Sequence, residues 1–145
     1  MTVWHVEAAT AHDADAVLAL LRDNALPNDG LADHWASTIV AGMDGTIVGS
    51  AALEIYGEGA LLRSVAVAPA WHRRGVGHDL TAAALQMAGE RRLPAVYLLT
   101  TTAEQFFPKF GFERIERADV PTSVQASVEF TSACPSSATV MRKIL

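Results

Sequence analysis

Gly75 and Gly77 stand directly behind Arg73 and Arg74, and residues of these types at this spacing suit one kind of chemistry. The run Trp71-His72-Arg73-Arg74-Gly75-Val76-Gly77-His78-Asp79-Leu80 follows a β-branched stretch, Val65-Ala66-Val67, and opens an amphipathic helical pattern. Glycines in a strand-to-helix turn leave successive backbone N–H groups uncovered. The helix start adds its own orphan N–H groups, and the helix dipole supplies partial positive charge. With two guanidiniums alongside, the turn fits a phosphate or pyrophosphate. A second polar feature lies just upstream. Arg63 sits among aliphatics, and alternation predicts Leu61, Arg63, Val65 and Val67 on one strand face. An arginine so placed meets either a ligand carboxylate or an ion-pair partner, for which Glu54 and Glu58 on the neighbouring strand are available.

The elements that must hold these residues are legible from periodicity. Residues 3–8 read as a first strand. Thr10 with Asp13 resembles a capping box, and Ala14, Val17, Leu18, Leu21 and Ala25 keep the spacing of one buried helix face. Residues 31–35 suggest a short second helix. Ser37 to Met43 and Thr46 to Tyr56 read as strands joined at Asp44-Gly45, and Ala60 to Ala68 runs straight into the glycine turn. Beyond it, Val76, Leu80, Ala83, Ala84 and Met87 mark a long helix ended by Pro94. Ala95 to Thr100 is apolar enough for a strand buried on both faces. Thr101 or Thr102 is placed to cap a helix over Ala103 to Phe110, closed by Gly111. Phe112 to Ile115 reads as a strand, Asp119-Val120-Pro121 as a helix start, and Ser137 to Ile144 as the last strand. The sum is a single α/β domain over residues 1–145. Its sheet is mixed and mostly antiparallel, with one parallel strand-helix-strand crossover.

Composition narrows the classes. The chain has 145 residues, half of them hydrophobic and 19% charged, which suits one ordered domain. A net charge of −5 and basic runs of two residues at most give no reason to bind nucleic acid. Cys134 stands alone, which fits a reducing cytoplasm and excludes an internal disulfide or a multi-thiolate metal site. The five histidines lack metal-ligand spacing, so no metal is expected. The N-terminus has no basic region before an apolar core, and no apolar run approaches the ~20 residues of a membrane span. A soluble cytoplasmic protein without membrane association is expected.

Two familiar phosphate loops do not match. A P-loop needs lysine after its last glycine, and none follows Gly75 or Gly77. A dinucleotide fingerprint needs a third glycine where Leu80 stands, and a wholly parallel sheet where antiparallel strands are expected.

A third comparison does match. The run from Val65 through Pro69 and His72-Arg73-Arg74-Gly75-Val76-Gly77 resembles the acyl-CoA motif of the GNAT superfamily of acetyltransferases, with His72 where Gln or Arg is usual. Phe106-Phe107-Pro108-Lys109-Phe110-Gly111-Phe112 resembles the superfamily's later Phe-Tyr-x-Lys-x-Gly-Phe segment. The resemblance implies a GNAT fold and acetyl-CoA as co-substrate. Narrower likeness, in Glu54 to Gly57, Ala60 to Val67, Tyr97 to Glu104 and Phe130 to Ala138, is to a subgroup of arsenic-resistance N-acetyltransferases. That implies a small amine acceptor, such as an amino-acid-like organoarsenical.

The resemblance also assigns roles. Backbone N–H groups from His72, Arg73, Arg74, Gly75, Val76, Gly77 and His78 would hold the CoA pyrophosphate, and Val65, Ala66 and Val67 would lie beside the pantetheine arm. An N–H near Val65 or Ala66 would serve the thioester oxygen as oxyanion donor. Glu54 is the candidate general base, directly or through water, unless it merely pairs with Arg63. Arg63 and Thr101 are candidates for binding the acceptor. Phe107 occupies the position of the tyrosine that protonates the leaving thiolate in many relatives, and it has no proton to give. Tyr56, Tyr97, Thr101, Cys134 or solvent would have to replace it. Two other functions stay open: a catalytically silent acyl-CoA sensor, and a peptide or protein acetyltransferase. Many relatives dimerise, so a homodimer stays open too.

Overall fold

The computed structural model describes residues 3–145. Seven strands form one sheet in the order β1-β2-β3-β4-β5-β7-β6. They are β1 (His5–Ala8), β2 (Thr38–Met43), β3 (Thr46–Tyr56), β4 (Gly59–Val67), β5 (Ala95–Thr100), β6 (Glu113–Ile115) and β7 (Thr139–Ile144). All neighbours are antiparallel except β4 and β5, which are parallel and joined through α2 (Val76–Glu90). The mixed sheet with one crossover is the architecture the sequence predicts. No helix among the described residues is long and apolar enough to cross a membrane.

The sheet is covered on both faces. On one, Val76, Leu80, Ala84 and Ala88 of α2 pack over Ala51, Leu53, Leu62 and Leu98. On the other, Val17, Leu20 and Leu21 of α1 (Ala14–Asp23) pack on Val40, Ala52 and Ala66. The short α3 (Thr122–Gln125) sets Val124 against Leu61, Tyr97 and Val140. Each fully buried aliphatic of this kind contributes about 1.5–3 kcal/mol of burial free energy, which anchors α2 and its N-terminus to the sheet.

Several local expectations change. Leu18 is exposed and Leu20 is buried in its place, because the buried stripe of α1 runs Val17, Leu20, Leu21 and is rotated about the helix axis from the expected one. The short helix expected over residues 31–35 is present as a 3-10 helix that runs over Leu31–Ser37, with a kink at His34. The segment before Gly111 is a single 3-10 turn, Phe107–Phe110, where a longer helix over Ala103 to Phe110 was expected. Its would-be caps are idle: Thr100 Oγ1 accepts the N–H of Ala103 at 2.9 Å, and Thr101 and Thr102 lie in the bend. Pro108 then lacks the N–H that an α-helix would need there. Pro121 is itself the cap residue of α3, with Asp119 in the preceding turn, and Gln125 Nε2 donates back to Val120 O at 2.6 Å.

Candidate functional site

The site begins where β4 and β5 part. Their pairing covers only Ala60↔Val96 and Leu61↔Tyr97, after which the strands diverge. The opening is a cleft of about 820 Å³, lined by Leu62 to Val65 and Val67 on one side and Leu98 to Thr100 on the other. The cause lies in β4. Its ladder with β3 slips between Ser50 and Ala52, so Ser64 and Val65 together face Ala51. Ser64 takes a left-handed backbone, φ +59°, and its carbonyl accepts Ser50 Oγ at 2.8 Å. Such a bulge bends its strand and sharpens the local twist.

The bulge also overturns the expected face. Leu61 and Arg63 point to the α1 and α3 side, whereas Val65 and Val67 pack with Leu62 against the α2 side. One extra residue has reversed the alternation. Backbone direction follows. Ala68 N–H donates to Val48 O at 2.8 Å, so Val67–Gly49 is a non-hydrogen-bonded pair and Ala66–Ser50 a bonded one. The Ala66 N–H therefore faces β3 and is no oxyanion donor. The backbone of Val65 and Val67 turns to the open edge, where Val67 O already accepts His72 Nε2 at 2.7 Å and Asn24 Nδ2 at 3.2 Å.

The glycine turn closes one end of the cleft. Arg73 (φ +65°) and Gly75 (φ +95°) are both left-handed, and α2 starts at Val76. Asp79 is the first residue of α2 to find a backbone acceptor, Gly75 O at 3.0 Å, so Val76, Gly77 and His78 keep free N–H groups at the positive end of a 15-residue helix. Arg73, His72, Gly75, Val76, Gly77 and His78 all line the cleft. Arg74 does not: its guanidinium lies 5.0 Å over the Trp71 ring, itself edge-on to Trp4, whose indole N–H donates to Asp79 Oδ2 at 2.9 Å.

At the other end lies a buried charge cluster. Arg63 Nη1 lies 2.9 Å from Glu54 Oε2, and Arg63 Nε lies 3.4 Å from Glu129 Oε2. The same guanidinium donates to Asp29 O at 2.6 Å, Pro27 O at 3.2 Å and Ser64 Oγ at 3.2 Å. Of its five N–H donors, one on Nη2 is left, so Arg63 is a structural clamp and not a free receptor for a carboxylate. Glu54 is 1% exposed and does not line the cleft. Burial alone would raise its pKa, but hydrogen bonds from Tyr56, Ser127 and Arg63 hold it below the ordinary carboxylate range. That environment stabilises the anion, which makes Glu54 a counter-ion and a poor base. Glu129 behaves oppositely, raised by burial despite Arg63.

Of the expected proton donors, Tyr97 is buried on the other face against Leu61 and Val140, away from the cleft. Thr101 lines a neighbouring shallow groove with Arg73 and Lys109. The Tyr56 hydroxyl donates to Glu54, and its pKa is pushed up to about 12 by burial and by that partner. Cys134 does line the cleft, with its thiol donating to Glu129 Oε1 at 3.6 Å. Phe107 lines it too, buried against Phe106 and Phe112. Glu129 is a functional candidate that only the three-dimensional arrangement brings forward. It stands between Val128 and Phe130 with no charged neighbour, so nothing in the local sequence marks it.

Comparison with known proteins settles the family. A model described as "Acetyltransferase (GNAT) domain" matches residues 34–114, more than half the chain and the whole stretch from β2 to the start of β6. The chain belongs to the GNAT family. Among curated proteins it is 37% identical over 81 residues to the amino-acid acetyltransferase of Mycobacterium tuberculosis, covering 55% of this chain and 46% of that one. It thus spans less than half the length of that relative. Among solved structures, M. tuberculosis Rv2747, in complex with CoA, superposes with a TM-score of 0.84 at 27% identity, over 97% of this chain and 99% of that one. N-acetylglutamate synthase from Neisseria gonorrhoeae, with CoA and N-acetyl-glutamate, gives 0.85 at 18% identity over 100% of this chain and 36% of that one, which speaks for the shared GNAT fold alone.

Proposed function

We propose that this GNAT domain is an acetyl-CoA-dependent N-acetyltransferase for small, amino-acid-like amines. The observation that carries the reading is the cleft between β4 and β5, with free N–H groups of α2 at one end and the open edge of Val65 and Val67 along its side. The CoA pyrophosphate would sit on the N–H groups of residues 73–78, and the pantetheine arm would run along the β4 edge as a strand would. The thioester carbonyl would then meet the Val65 N–H. An oxyanion donor of this kind is worth a few kcal/mol in the transition state, about 2.7–4 in measured cases. With the acetyl group at the level of Leu62 and Arg63, the acceptor amine enters beside Pro27 and Leu26, which the Arg63 clamp holds in place.

The acceptor class is supported by the amino-acid acetyltransferase relative and by the cleft's size, which suits a small molecule beside CoA. A finer assignment to amine-bearing organoarsenicals is supported by sequence segments such as Tyr97 to Glu104. A cytoplasmic setting fits the single cysteine. One observation favours a second reading, an acyl-CoA sensor without turnover: Phe107 offers no proton where many relatives carry tyrosine. A thiol-release assay with acetyl-CoA against a panel of amino acids and amine-bearing organoarsenicals separates the two. Turnover with an amino-acid-like amine supports the transferase. Tight acetyl-CoA binding with no turnover on any amine supports the sensor.

A further inference from the structure

We propose that Glu129 is the group that protonates the departing thiolate in this protein, the task for which Phe107 has no atom. The inference rests on the transferase reading above. Glu129 opens the single wide π-helical turn Glu129–Ala133, is 4% exposed, and lines the end of the cleft beside Arg63 and Cys134, where β4 and β5 begin to part. A pantetheine arm running from the α2 N-terminus past Val67 and Val65 delivers its sulfur toward that end.

The cluster forces the two carboxyl groups apart. One guanidinium serves two acids, and Glu54 holds it more closely, at 2.9 Å against 3.4 Å, with the Tyr56 hydroxyl on its other oxygen. A second carboxyl in the same buried space, next to the first anion and farther from the shared guanidinium, is pushed toward its neutral acid. Burial and the Glu54 charge raise Glu129 while the Arg63 charge opposes them, and Glu54 moves the other way. Two neighbouring carboxyls with opposed environments are the usual mark of an acid and its stabilising anion. The other proton carriers of the cleft serve less well. The Cys134 thiol is pushed up to about 12 by burial and by Glu129, and it holds its proton against the Glu129 carboxyl. His72 and His78 sit at the phosphate end, His72 on Val67 O.

The step balances without any further reactant. The neutral amine attacks the thioester carbon, the C–N bond forms, and the C–S bond breaks with its electron pair on sulfur. The thiolate takes the Glu129 proton and leaves as CoA thiol. The cationic nitrogen of the product then gives its proton to the Glu129 carboxylate, which restores the acid.

The test is Glu129→Gln, which keeps the shape and loses the transferable proton. Acetyl-CoA binding should stay within about twofold while kcat falls by about a hundredfold or more. At saturating substrates the parent's kcat should fall as pH rises through the raised carboxyl pKa, and E129Q should lack that limb. The charged and titratable groups facing Glu129 are Arg63, Glu54, Asp29 and Cys134, so Cys134→Ala serves as the control in which the limb persists. A kcat for E129Q within about threefold of the parent would overturn the proposal. So would a parent profile with no alkaline limb, which decides the matter even if E129Q folds poorly. A parent that turns over no amine defeats the transferase reading itself, an outcome distinct from an active E129Q.

Discussion

Arg63 Nη1 lies 2.9 Å from Glu54 Oε2, and neither side chain is more than 1% exposed. The pair joins β3 to β4 just beyond the point where β4 and β5 part, and through Pro27 O and Asp29 O it also fixes the loop after α1. Removing one partner of such a pair leaves uncompensated buried charge, which costs about 3–5 kcal/mol. Arg63→Ala should therefore lower unfolding free energy by that order in urea titration. An unchanged midpoint would show that the clamp contributes nothing.

The two carboxyls give opposite pH signatures of stability. Glu54 is depressed in the folded state, so its contribution is present above its unfolded pKa and is lost as pH falls through the folded value. Glu129 is raised, so its contribution is full below its unfolded pKa and is lost as pH rises through the folded value. Stability measured against pH should decline on both sides, and in E129Q the decline on the alkaline side should disappear. If E129Q keeps that decline, some other group causes it.

Gly75 is needed for its backbone and not for space. Its φ is +95°, and an added Cβ would meet only Trp4 at 3.9 Å. Gly75→Ala should cost about 1–2 kcal/mol of stability through the left-handed conformation and weaken acetyl-CoA binding by tilting the N–H groups of α2. Gly49 is the converse case, since a Cβ there would lie 2.7 Å from Leu80 Cδ1 and 3.2 Å from Ala66 O. Gly49→Ala should cost about 1–3 kcal/mol by overpacking. Thermal unfolding and calorimetric titration with acetyl-CoA check both.

Arg73 and Arg74 are adjacent in sequence and differ in role. Arg73 lines the cleft, whereas Arg74 does not and stacks on the ring of Trp71. Arg73→Ala should weaken acetyl-CoA about five- to tenfold, as loss of a charge-assisted phosphate contact implies. Arg74→Ala should leave affinity nearly unchanged and cost about 0.5–1 kcal/mol of stability from the cation–π contact. Equal losses of affinity from the two would contradict the assignment.

The sheet, the crossover and the glycine turn were legible because each follows from local periodicity or turn chemistry: β-branched Val65-Ala66-Val67, the apolar Ala95 to Thr100, and the Gly75-Val76-Gly77 start of α2. The bulge at Ser64 was not, since alternation gives no warning of an extra residue, and that one residue moved Val65 and Val67 to the other face and turned the Ala66 N–H toward β3. The Arg63–Glu54 pair was visible as one of two uses for Arg63, and only the geometry chose between them. Glu129 was invisible because it reaches the cluster from a turn far along the chain, which no spacing encodes. Tyr97 looked available for chemistry only while its strand face was unknown.

The most direct measurement is the joint yield of CoA thiol and N-acetylated product, by thiol titration and mass spectrometry, when the protein meets acetyl-CoA and an amino-acid panel. An N-acetyltransferase of this kind forms both, saturably and in equal amounts, with at least one small amino-acid-like amine. Acetyl-CoA bound tightly, with neither product above the protein-free blank for every amine, would contradict it.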